Sequence, residues 1–272
     1  MSTLAFTPSR GLAAADLLKL RRRRGLVAVT ALLTVGAMTI TYGIIELLHV
    51  ASPATHGPAG GIVNLGHGAW VASTLGAVAA AIVGSMAGSG DLEAGVYRYL
   101  VVTGRSRLAL YRSRLALYRS RLRSGLVFLL PFTAAAYAIA AVAAVVLAGG
   151  RPVPTASLLA TTGLWAVLQV TFYYLLAFGI ACLVGSRSYT IGILLAFRLA
   201  LTPILASITA LGIVRELVPG VALQGLTPAA LGNAAQQGPT IPMSTAAIAI
   251  VLIVWALAAI VAGAWRDTRR DA

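Results

Sequence analysis

Three histidines and one acid, His49, His56, His67 and Glu46, fall within one short stretch of the chain. Glu46 and His49, at i and i+3, share one side of a helix, where a carboxylate and an imidazole can hold a metal ion together. The remaining spacing fits no metal signature, and the competing reading is of interfacial residues at the wet end of an apolar helix. Arg198 is the other residue with chemistry to offer. It is a guanidinium inside an apolar run, where a charge at mid-bilayer costs roughly 3 kcal/mol. Such a residue either snorkels or packs structurally, or it lines a cavity or translocation path. Gln169, Tyr173 and Tyr174, in the preceding apolar run, are polar handles with the same two readings: lining a path, or packing helix against helix.

Other chemistries are missing from the sequence. There is no G-x-S-x-G and no H-E-x-x-H. The only lysine is Lys19, and no G-x-x-x-x-G-K-[ST] occurs, so the chain holds no phosphate cradle of its own for ATP. The single cysteine, Cys182, excludes a disulfide framework within the chain. An intramembrane enzyme would need paired catalytic groups at one depth, and the apolar runs offer no such pair. A proton-coupled carrier would carry acids in the membrane core. Only Glu46 comes near, and it sits towards the outer end of its run.

The elements that must position these residues are membrane spans. The chain has 272 residues, of which 59% are hydrophobic and 10% charged, with a mean hydropathy of +0.89. Runs of about 20 apolar residues, each able to cross ~30 Å of hydrocarbon, recur along it. The pattern predicts an all-α, polytopic membrane protein of six spans: 25–48, 69–88, 125–147, 157–184, 189–214 and 245–265. In the second, Gly76, Ala80, Gly84 and Gly88 recur every fourth residue and predict a face that a neighbouring helix can approach closely. Pro131 predicts a bend early in the third. Residues 215–244, rich in Pro and Gly, predict one or two short outer helices that re-enter the membrane where protein satisfies their backbone.

Charge sets the orientation. Eighteen of the 21 basic residues fall in segments 1–24, 91–124, 185–188 and 266–272; Arg151 and Arg215 lie in the opposite set of loops, and Arg198 lies within a span. By the positive-inside rule both termini are cytoplasmic. The net charge of +14 is thereby accounted for without nucleic acid, since no basic face remains clear of the bilayer. Segment 1–24, with Lys19 and Arg21 to Arg24, predicts a short interfacial helix held by anionic lipids at about 1 kcal/mol per charge, or else a basic tail.

The segment from Asp91 to Arg123 carries eight arginines. Asp91 fits a helix N-cap, with Glu93 in the first turn, and Gly104 fits the stop. Ser106 fits the cap of a second helix that leads into the third span. That helix contains a tandem repeat, RSRLALY at 105–111 and again at 112–118. Seven residues are nearly two turns, so Leu108, Tyr111, Leu115, Tyr118 and Leu122 stay on one side. The flanking arginines suit lipid phosphates or an acidic protein groove, not an identical helix.

Asp91, Gly95, Arg98, Leu100, Thr103, Gly104, Ser106 and Arg107 follow D-x-x-x-G-x-x-R-x-L-x-x-T-G-x-S-R. With the order of spans and basic segments, this resembles the ABC transporter permeases of the type-2 exporter class. The resemblance implies that Asp91 to Thr103 is a coupling helix, through which Asp91, Glu93, Gly95, Arg98, Leu100, Gly104 and Arg107 dock on a separate ATP-binding-cassette subunit. It also implies that ATP and magnesium belong to that subunit, with no cofactor in this chain. Two membrane subunits, identical or paralogous, would surround a shared export path in the cell membrane. The tandem heptad departs from the family's pattern.

Overall fold

A computed structural model of the chain describes residues 9–93, 107–235 and 241–269, with side chains over 11–90, 113–232 and 241–267. The described residues are helical, without a strand. Six helices are long and apolar enough to cross a bilayer. A basic helix, α1 (Ser9–Arg22), precedes them. The spans are α2 (Arg24–Ala51), α3 (Ile62–Glu93), α4 (Arg107–Val146), α5 (Ala156–Val184), α6 (Arg187–Ser207) and α8 (Thr245–Arg269), with a short α7 (Pro219–Gly225) between the last two.

The helices are not equivalent. In α3 and α5, 61% of the apolar stretch is buried inside the protein, against 22–33% in the other four. These two form the axis of the bundle. The predicted small-residue face is what joins them. A Cβ on Gly84 would stand 2.6 Å from that of Ala177, and one on Gly88 would stand 2.7 Å from the Phe178 carbonyl oxygen. The backbones approach too closely for any side chain there. Gly179 and Gly263 bring α8 against the other side of α5 in the same way.

Several predicted boundaries move. The second helix begins at Ile62, seven residues before the expected Ala69, because the loop before it is pinned to the end of α4. Gly60 N–H donates to Leu147 O, and Gly61, at φ +89°, donates to Ala144 O. The third span is part of one 40-residue rod, about 60 Å long at helical rise, that runs uninterrupted through Pro131. α6 ends at Ser207, short of the expected Val214, where Ile208 is extended. A 3₁₀ stretch, Thr209–Leu217, follows with Gly212 at φ +51°. Asp91 is not an N-cap: α3 runs on through it to Glu93.

Within the expected outer segment, α7 is wrapped by protein, with Pro219 to Gln224 all buried. Ala222 and Leu223 join the main core beside Phe172 and Ile248. Trp165 of α5 donates its indole N–H to Leu223 O at 3.1 Å. A second 3₁₀ stretch, Ala229–Ala235, continues towards α8.

Candidate functional site

The candidate path residues divide into two groups, although Tyr173 and Tyr174 are neighbours in sequence. α5 is apolar all round, and successive residues point about 100° apart. Tyr173 looks towards α6. There the buried line is Thr190, Leu194, Arg198, Thr202 and Ala206, one residue per turn. Arg198 is 6% exposed and sits on a π-helical turn, Phe197–Leu201. Such turns break the ordinary ladder and often occur at functional sites. Its guanidinium carbon lies 5.4 Å from the centre of the Tyr173 ring, a cation–π contact. Gln169, one turn back along the same face, is also buried.

This row is polar but not internally satisfied. Arg198 Nε and Gln169 Oε1 are buried without hydrogen-bond partners, and Tyr173 OH finds nothing closer than the neighbouring Arg198 guanidinium. No carboxylate among the described residues pairs with Arg198; the acids with described side chains are Asp16, Glu46, Glu216 and Asp267. Each such atom costs about 1–3 kcal/mol unless something outside the row satisfies it. The structure therefore brings Arg198 and Tyr173 together and puts Gln169 on their side of α5.

Tyr174 points the other way and is fully satisfied. Its hydroxyl donates to the carbonyl oxygens of Leu122 and Arg121, at 3.0 and 3.2 Å, while its ring stacks on Phe178. It closes against Gly125 of α4, where a Cβ would overlap the phenol. Tyr174 is a packing residue.

The contact it supports is a lock that the sequence reading missed. Arg121 and Asp267, 4% and 0% exposed at the side chain, form an ion pair at 3.0 Å. Arg121 also donates from Nε to Leu117 O at 3.3 Å and from Nη1 to Gly88 O at 3.4 Å. Tyr118 OH donates to Ile260 O at 2.7 Å, and Ser120 Oγ donates to Asp16 of α1. The middle of α1, the last turns of α3 and α8, and the stretch 118–121 of α4 are thus tied at one place. The expectation that the arginines of this segment face lipid or a partner needs correction. Arg114 and Arg121 are buried, whereas Arg119 and Arg123 are exposed. The signal was available: Arg114 and Arg121 are one heptad apart, on a face with Tyr118 and Ser124.

The chain matches no family model and no curated protein.

Of the expected coupling residues, Gly95, Arg98, Leu100 and Gly104 lie outside the described residues, as do Thr103 and Ser106. Asp91 and Glu93 occupy the last turn of α3, and Arg107 opens α4. The described ends of the segment are therefore the ends of two helices that meet the lock further along, at Gly88 and at Arg121.

Glu46 and His49 do not converge on a shared ligand. Glu46 Oε2 accepts from Ala59 N–H at 3.1 Å, and His49 Nδ1 donates to His56 O at 2.6 Å. Among the described residues no group of three His, Cys, Asp or Glu side chains is placed to hold a metal ion.

Proposed function

We propose that the chain is the membrane-spanning subunit of an ATP-driven exporter, coupled to a separate ATPase through the segment between α3 and α4. The observation that carries this reading is mechanical. α4 is one 40-residue rod that joins the arginine-rich segment to a membrane span. The Arg121–Asp267 lock fixes that rod to α8, and Arg121 Nη1 reaches the end of α3. A push on residues 91–107 would move these helices together rather than bend a loop. The D-x-x-x-G-x-x-R-x-L-x-x-T-G-x-S-R pattern supplies the surface that receives the push.

In this reading the basic end is cytoplasmic, both termini are inside the cell, and the protein resides in the plasma membrane. ATP and magnesium bind to the partner, whose closure rocks the spans. Two membrane subunits, identical or paralogous, enclose the path; Arg198, Gln169 and Tyr173, buried between α5 and α6 of this subunit, open onto it only when the spans rock apart. The unsatisfied Arg198 Nε and Gln169 Oε1 are what a polar group of the cargo, or water ahead of it, would satisfy. Anionic lipids neutralise the exposed arginines and α1.

The test is co-purification with a soluble P-loop ATPase, followed by reconstitution in vesicles. Transport should need ATP and the partner, and Arg98→Ala should abolish coupling while both subunits remain folded. Cargo movement by the purified chain alone, or labelling of Arg98 from outside the cell, would overturn the proposal.

A further inference from the structure

A second site lies away from that path, between α2 and α4. There the helices part to leave a groove of about 590 Å³, within the range of small-molecule sites. Thr39, Tyr42 and Glu46 line one wall; Ile139, Val142 and Val146 line the other. The wall is apolar except at its end, where Glu46 supplies the only charge. Other grooves differ in this respect. One of about 650 Å³ at the head of α5 has no charged residue in its wall, and one of about 440 Å³ beside α1 has only Arg21.

Glu46 is held in place rather than left to wander. One oxygen accepts the Ala59 N–H, in a loop that is itself fastened to α4 through Gly60 and Gly61. The other oxygen takes no hydrogen bond among the described residues. Tyr42, one turn deeper, is fixed by its donation to Asn64 O at 3.0 Å. The nearby cation, Arg151, is engaged with Pro58 O. The result is a preorganised carboxylate at the mouth of an apolar slot.

We propose that this groove binds a lipophilic cation, its onium or ammonium group at Glu46 and its hydrocarbon or aromatic body between α2 and α4. Charge decides the occupant. A phosphate or carboxylate head group would face Glu46 directly and be repelled, which excludes anionic lipids. An apolar body moves from lipid to slot at little cost or gain, so the preference comes from its cation, which gains the carboxylate in a medium of low dielectric. The site needs neither ATP nor a partner subunit, so it stands independently of the exporter reading.

The full-length protein, in nanodiscs of neutral phosphatidylcholine, can be titrated with two ions of the same shape and opposite charge, tetraphenylphosphonium and tetraphenylborate. Empty nanodiscs give the partitioning background. Saturable binding of the phosphonium alone is expected. Glu46→Gln, which keeps an acceptor for Ala59 N–H, should weaken it about tenfold, on the order of one charge–charge contact in a half-buried site. Val142→Trp fills the slot from a residue that is 61% exposed, and so leaves the fold alone. It should abolish binding with Glu46 intact. Equal saturable binding of both ions, no saturable binding of the phosphonium, or full affinity in either variant would overturn the assignment.

Discussion

Two arginines of the bundle interior, Arg121 and Arg198, are almost equally hidden, at 4% and 6% exposure, yet their surroundings are opposite. Arg121 has a carboxylate, two carbonyl oxygens and helices on every side. Arg198 has an aromatic face, an unsatisfied Nε and no carboxylate among the described residues. Burial alone therefore does not say what a charge is for. A charge whose partners are all supplied by the fold holds the fold; one left short awaits a partner from elsewhere. The tyrosine pair repeats the lesson one residue apart, since Tyr174 caps two carbonyls while Tyr173 OH caps none.

The largest expected effect comes from stranding the satisfied arginine. Asp267→Ala should cost about 3–5 kcal/mol, the usual penalty for an uncompensated buried charge. It would appear as lost folded yield and a lower melting temperature in detergent. Arg121→Met with Asp267→Leu should restore most of that loss; if the double variant melts as low as the single, the ion pair is not what ties α4 to α8.

The reverse holds at Arg198. Arg198→Leu should leave stability unchanged or raise it by up to about 3 kcal/mol of removed desolvation cost, seen as an equal or higher melting temperature, while reconstituted transport falls. A destabilised but transport-competent variant would reverse the roles assigned to the two arginines. Smallest is the tyrosine contrast. Tyr174→Phe should cost about 1 kcal/mol for the lost hydrogen bonds, and Tyr173→Phe should be neutral in melting while altering cargo preference. Equal melting of the two would erase the distinction.

The spans and the glycine face of α3 were legible because hydropathy and fourfold spacing each report one physical requirement: crossing hydrocarbon, and close approach of backbones. What faced inward on α5 was not. In a bilayer both lipid and core are apolar, so a helix buried on all sides shows no stripe, and Tyr173 and Tyr174 look alike. The lock escaped for the opposite reason. Arg121 and Asp267 lie in segments so basic that orientation counting explains them completely; the heptad sets Arg114 and Arg121 on the inward face, but nothing local tells which of the two meets an acid 146 positions away. The sequence alone marks Glu46 as a ligand candidate, but the slot beneath it requires α2 and α4 side by side.

The tandem heptad has a consequence for how this protein can change over time. Ser113, Arg114, Leu115 and Tyr111 are spelled again as Ser120, Arg121, Leu122 and Tyr118, so the rod carries a spare key cut to the pattern that turns in the lock. Losing one copy in frame would shorten the rod by about 10 Å and still present a serine to Asp16 and an arginine to Asp267. Gain or loss of that unit is a step by which a lineage can alter the rod's reach without ever passing through a broken fastening.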